Sequence, residues 1–420
     1  MGDPRELHTW WMRRAPIILF PFAVAALVLT ACTAPTPGPT AGASASTPAV
    51  AAVPEDAFTP VIANVLSTPR AVAATDGRVH IAYELFLSNV TTQMATIESI
   101  DVIDEDGQSL AELDGDAVVP WVHVSGTTAQ GRVIGPGQSA LVWLDVVVDS
   151  MQDLPLSLAH DVTFGFEPGA LPVIQNEVTE RLAVTAVDPA EPIVIAPPLE
   201  GEGWLNGNSC CAVTPHRAAV NPIDGSFHAP ERYAIDYVQL DENGSFLTGP
   251  ADQLASYPYF GANILAVGDG PIVSMRFDLP EQPPGANPTG LTLEEYGGNH
   301  IVQQLGDGVY AFYAHLQPDN PMQVEVGQEL KKGEVIALLG NTGNTDSPHL
   351  HFHIMDSPSP LGSNGIPFVY DDFNLAGQIT AEDLEANLTG GGPFTIDTTD
   401  AGPQQGLYPL WLTVTDYPEK

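Results

Sequence analysis

Positive charge is what this chain lacks most. Three lysines and ten arginines stand against 52 acids, a formal net charge of −39 over 420 residues. A surface of that sign repels phosphate backbones, which excludes nucleic acid as a partner. Cysteine is scarce, at Cys32, Cys210 and Cys211 alone, too few for a disulfide scaffold. The apolar run Ile17–Leu29 falls short of the roughly 20 residues that span a bilayer. Neither His-Glu-x-x-His nor Gly-x-Ser-x-Gly occurs, so the helix-borne zinc proteases and the serine hydrolases that carry those patterns have no support. Helix-period stretches of convincing length are also missing. What remains is 44% hydrophobic residues with Gly and Pro at 39 each, the composition of an all-β chain rich in turns and able to build more than one core.

The N-terminus has the layout of an export signal. Arg5, Arg13 and Arg14 precede the apolar run, as a positively charged leader precedes a short hydrophobic segment. The run ends in Leu29-Thr30-Ala31-Cys32, which resembles the lipobox of bacterial lipoprotein signals. That resemblance implies removal of residues 1–31 and diacylation of Cys32. Residues 32–55 are an uncharged Ala/Thr/Pro-rich tether up to Pro54; such a stretch buries too little apolar surface to offset its chain entropy. If flexible, it spans roughly 25 Å. The expectation is an exported bacterial lipoprotein, anchored to the membrane and facing the cell wall.

Residues 56–187 read as closely spaced strands. In Val79–Leu87 every odd position is apolar, the period-2 pattern of a half-buried strand. Val142, Leu144, Val146 and Val148 repeat it, while Asp106-Gly107 and Gly135-Pro136-Gly137 mark turns. About seven short strands of this kind predict an immunoglobulin-like β-sandwich. The acids of Asp101–Asp106 do not have calcium-loop spacing. No chemistry is legible here, and the sandwich is open to a protein partner. A Pro-rich linker follows at 188–200.

The second unit, 201–375 with a C-terminal strand extension at 376–420, carries the chemistry. Expected strand pairs are Asn263–Gly270 with Ile272–Met275, and His300–Leu305 with Val309–His315 turning at Asp307-Gly308. Four of the 11 histidines fall between His315 and His353. On a strand, His349 and His351 share a face; one imidazole of such a pair can hold a metal while the other works on substrate.

Tyr313-Ala314-His315-Leu316, Val326-Gly327-Gln328, Lys332-Gly333, Gly340-Asn341-Thr342-Gly343 and His349-Leu350-His351-Phe352 together resemble the lysostaphin/LytM-type zinc metalloendopeptidases of peptidoglycan. The resemblance implies an antiparallel β peptidase domain with a groove for a peptidoglycan peptide. It also implies Zn2+ held by a first histidine, Asp236 and His351, with His315 and His349 as the catalytic pair. In the family the first histidine stands four residues before the aspartate, and here that position is Arg232. His216 and His228 are the candidates to replace it, His216 being favoured because the Gly-rich stretch from Gly203 to Asn208 suits a loop at the groove. His228 is expected near the exposed end of a hairpin. His353 is expected to line the groove or be solvated, and His300 to line the groove or bond to the fold. Cys210 and Cys211 have only each other as disulfide partners, with thiolate metal binding as the alternative. An inactive groove that binds or activates cell-wall hydrolases is the alternative to catalysis, and a scaffold lipoprotein acting through its sandwich is a third reading.

Overall fold

The computed structural model describes residues 57–419 apart from 129, 169–174, 287 and 388–391. The export signal, Cys32 and the tether lie outside the described residues. Among those described, no helix is long and apolar enough to cross a membrane. Among the described residues the α-helices are two short ones, Pro215–Ala218 and Ala381–Asn387, with four 3-10 segments of three to seven residues; the rest is strands, turns and irregular chain, in keeping with the composition.

Two five-stranded sheets form the N-terminal sandwich. One orders Val61–Val65, Val79–Asn89, Ser139–Val148 and Val122–Val124, with Ala71–Ala73 beside the second of these; the other orders Glu177–Ala186, Ser157–Gly165, Ala95–Ile103 and Ser109–Asp114, with Val133–Ile134 beside the third. Ile81, Tyr83, Leu85 and Leu87 meet Ile100, Val102, Val162 and Phe164 between the sheets. Among the described residues the count is ten strands rather than about seven, because several are only two or three residues long and carry no readable alternation.

Val79–Asn89 departs from its half-buried expectation. Its even positions His80, Ala82 and Glu84 are buried as well, since that face packs on the second unit, where Ala82 joins the core of Tyr233 and Ile235. Thr59–Lys420 accordingly forms one compact unit. The expected linker is itself partly sheet, with Ile193–Ile195 pairing in parallel with Phe368–Tyr370.

The second unit is built on a ten-stranded antiparallel sheet whose central neighbours are Val309–Ala314, Leu350–Met355 and Ile235–Gln239. The hairpin at Asp307-Gly308 is present. The other expected pair is not: Asn263–Leu265 pairs with Val335–Leu338, and Gly270–Arg276 pairs with His300–Gly306. Short apolar runs encode burial and leave the partner to the core they join; here Ile264 and Ile336 enter one cluster. The extension is not an appendage, for Thr413–Tyr417 lies between Gly201–Gly207 and Phe373–Gln378 in the same sheet.

Cys210 and Cys211 are disulfide-bonded to each other. Cys211 lies near His80 and Asp145 in a cluster with metal-like spacing, but its sulfur is thus committed. Both ring nitrogens of His80 face carboxylates, Asp145 at 2.9 Å and Asp76 at 3.1 Å, so the ring donates from both and carries charge. Burial opposes that charge, yet the two carboxylates outweigh it and push the pKa up to about 9.

Candidate metal centre and groove

Strand register assembles the site. Asp236 stands opposite His351 across the pairing of Ile235–Gln239 with Leu350–Met355, and side chains directly opposite on one face lie within reach of each other. On its other side His351 faces Ala314, which places His315 one residue beyond. His216 arrives from outside the sheet, on the single turn Pro215–Ala218. Proline begins that turn, and Thr214 Oγ1 caps it by accepting from the Arg217 amide at 3.4 Å.

These side chains converge. His216 Nε2 is 3.1 Å from Asp236 Oδ2, and His351 Nδ1 is 3.0 Å from Asp236 Oδ1. One potential ligand atom from each of the three lies within 4.8 Å of the others. His349 Nε2 stands 3.4 Å from Asp236 Oδ1, and the rings of His349 and His315 are centred 4.6 Å apart. All five line one groove of about 740 Å³, together with Glu231, Arg276 and Tyr296.

Hydrogen bonds to carbonyls assign the tautomers. A carbonyl can only accept, so Nδ1 is the donor in His216 to Ala234 at 3.1 Å, in His315 to Thr342 at 2.7 Å and in His349 to Ser347 at 2.8 Å. Each leaves Nε2 for the groove. The Thr342 carbonyl reaches His315 because Gly298, at φ +66°, passes close by; a Cβ there would sit 2.0 Å from that oxygen. His315 itself has φ 62°, a left-handed conformation that costs a non-glycine residue about 1 kcal/mol or more and ends the strand at the point where the ring meets His349.

Charges follow from burial and neighbours. Burial opposes a proton on His216, but the Asp236 carboxylate outweighs it, pushing the metal-free pKa up to about 9. Burial likewise opposes the charge on Asp236, and His216 and His349 overcome it, holding the carboxyl well below its usual range. His315 goes the other way: burial, then His349 and His351, hold it neutral. Two imidazoles and a carboxylate with an open side toward a groove match the donor set and the free position of a catalytic zinc site.

Of the two candidates for the first histidine, His216 is beside Asp236. His228 is not: it ends the strand Ser226–His228, paired with Asn221 at the base of the hairpin rather than at its exposed end, and it does not line the groove. The Gly-rich stretch expected as a loop is the strand Gly201–Gly207, because Trp204 and Leu205 bury into cores on either face. His353 lines the groove, one of its two expected placements, and is not solvated. It is 1% exposed, with Nδ1 3.0 Å from His351 Nε2, and its Nε2 has no partner among the described residues. If His351 uses Nδ1 as a ligand, its Nε2–H donates to a neutral His353, whose charged form is disfavoured by burial and then by His351. The i+2 spacing from His351 already placed the two on one face. His300 lines the groove and also donates from Nδ1 to the Gly298 carbonyl at 2.8 Å. Asn208, which the motifs did not single out, donates to Asp236 Oδ2 at 2.8 Å.

Residues 256–363 match Peptidase family M23, a span that includes His315, His349 and His351 but neither His216 nor Asp236. Peptidoglycan DD-endopeptidase ShyB of Vibrio cholerae is 26% identical over 143 residues, 34% of this chain and 27% of that protein. Glycyl-glycine endopeptidase ALE-1 of Staphylococcus capitis is 43% identical over 60 residues, 14% of this chain and 16% of that protein. The chain thus matches about a quarter or less of the length of these relatives. The solved catalytic domain of lysostaphin from Staphylococcus simulans is 23% identical, covers 40% of this chain and 88% of that one, and superposes with a TM-score of 0.21.

Proposed function

We propose that this chain is a zinc-dependent endopeptidase that hydrolyses peptide bonds of peptidoglycan. The observation that carries the reading is the convergence of His216, Asp236 and His351 beside the pair His315 and His349 in one groove. His216, Asp236 and His351 would hold the zinc, which supplies Lewis acidity and a bound water of lowered pKa.

His315 and His349 then do the proton work. Each has its Nδ1–H tied to a carbonyl, which fixes the ring and presents Nε2 to the groove. A neutral His315 can take a proton from the attacking water. The same Nε2–H, once formed, can donate to the developing oxyanion or to the leaving amine, and His349, whose Nε2 faces the same groove, can take up a proton there and then donate in the same way. Asn208 holds Asp236 Oδ2, keeping the carboxylate in place.

Arg232, in the place of the family's first histidine, would favour an inactive groove. The position of His216 beside Asp236 answers that departure and favours catalysis. Chelation of the full-length protein is expected to abolish release of new amino termini from purified peptidoglycan, and one equivalent of zinc to restore it; mass spectrometry of the fragments identifies the bond cut. Stoichiometric zinc with no cleavage would instead make the chain a binding or activating protein.

The anchoring proposal rests on Leu29-Thr30-Ala31-Cys32. Cys32→Ser should lose labelled-palmitate incorporation and detergent-phase partitioning; a variant that behaves as wild type in both refutes it. With Cys32 anchored, the tether would carry the groove outward from the membrane toward the wall.

A further inference from the structure

We propose that the N-terminal sandwich is a working part of the metal centre. Glu84, acting through Arg217 and Arg232, holds His216 in register with Asp236. This rests on the zinc-site reading above and goes beyond it, because it gives the sandwich a role other than recognition or spacing.

Arg217 follows His216 on the turn Pro215–Ala218. Successive helical residues point about 100° apart, so one side chain faces Asp236 and the next faces away. Arg217 is 1% exposed. Its Nη2 donates to the carbonyls of Tyr83 at 3.2 Å and Leu144 at 3.1 Å, both on sandwich strands, and its Nε lies 3.7 Å from Glu84 Oε1. Nη1 donates back to the Cys211 carbonyl at 3.4 Å. The guanidinium therefore clamps the His216 turn to two sandwich strands at once.

Arg232 does the same for the other ligand segment. It precedes the strand that carries Asp236, and its Nε lies 3.1 and 3.0 Å from the two Glu84 oxygens. Nη2 bonds to Glu84 and, at 2.8 Å, to Ser67 Oγ. Glu84 itself is fully buried. One sandwich carboxylate is thus shared between the two segments that bring His216 and Asp236 together. A four-residue turn has no stability of its own; with the cap at Thr214 as its local support, its position is set by what its side chains grip. Arginine suits this work, since its planar fork can serve a carboxylate and carbonyls simultaneously where lysine cannot.

The test uses the full chain. Arg217→Lys is expected to weaken zinc binding by about 10- to 100-fold, as loss of an outer partner does, in chelator competition on protein shown by circular dichroism to be folded without metal. The d–d spectrum of the cobalt-substituted protein should change with it. Arg181→Ala, which removes an exposed sandwich pair with Asp161, should leave both unchanged. A purely structural role would lower the metal-free unfolding temperature of Arg217→Lys while sparing zinc affinity and the cobalt spectrum, and that result overturns the proposal. Should the variant fail to fold, hydrogen exchange of the wild type decides. Coupling is reciprocal, so zinc must slow exchange in residues 79–89 as well as in 213–219; slowing confined to the second unit overturns the proposal. A wild type that binds no zinc would refute the site reading itself, and so is distinguishable from either outcome.

Discussion

His216→Ala is expected to lower zinc affinity at least about tenfold, while His228→Ala leaves it unchanged. The alanine removes one of the three proposed ligands. It also leaves the half-buried Asp236 carboxylate without the His216 contact at 3.1 Å, with Asn208 still bonded to the same oxygen. The wild-type ring needs no reorientation to bind metal, because donation from Nδ1 to the Ala234 carbonyl already turns Nε2 toward Asp236. Nothing comparable holds for His228, whose strand pairs with Asn221 outside the groove. Zinc content and chelator competition on the two purified variants measure the difference. A loss with His228→Ala alone would move the ligand there, and full occupancy in both would mean a centre built from other residues.

The second large effect separates binding from chemistry. His351→Ala should lose zinc and hydrolysis together, since Nδ1 faces Asp236 and Nε2 is taken by His353. His315→Ala and His349→Ala should keep most of the zinc and lose about 10²–10⁴ in rate. Their Nδ1 atoms are spent on the Thr342 and Ser347 carbonyls, and His315 lies outside the three-residue cluster around Asp236. Metal content by atomic absorption and turnover on a peptidoglycan fragment give the two readouts; equal metal loss in all three variants would contradict the division of labour.

The likeness to M23 peptidases was legible because its residues sit in short local motifs. His349 and His351 share a strand face by spacing alone, and the hairpin at Asp307-Gly308 that delivers His315 is a local turn. Asp236 was found from its segment, and the structure brings it to His351 through strand register. Choosing between His216 and His228 was beyond local reading. Both precede Asp236 in turn-rich sequence, and what separates them is where a four-residue helix and a hairpin dock. The Gly-rich stretch misled for a related reason: glycine marks permissive backbone, but burial of Trp204 and Leu205 on opposite faces makes it a strand.

The sandwich shows the same limit. Its odd-position alternation correctly named the face of Val79–Asn89 that enters the sandwich core. The even face, with His80, Ala82 and Glu84, looked like the solvent side, since a period-2 pattern cannot tell water from a second polar-lined interface. Its burial depends on Arg217 and Arg232, which lie more than a hundred residues further along the chain.

By itself, then, the sequence determined the all-β class and the sign of the surface, because composition and alternation act over a few residues. The resemblance of its short motifs to the lysostaphin/LytM-type peptidases offered four of the five side chains proposed for the site. The tertiary structure decided which strands pair, which histidine stands beside Asp236, and that the sandwich grips the turn bearing His216. Those choices follow from burying specific surfaces and charges together, and the free energy of such burial belongs to contacts between distant segments that no local pattern contains.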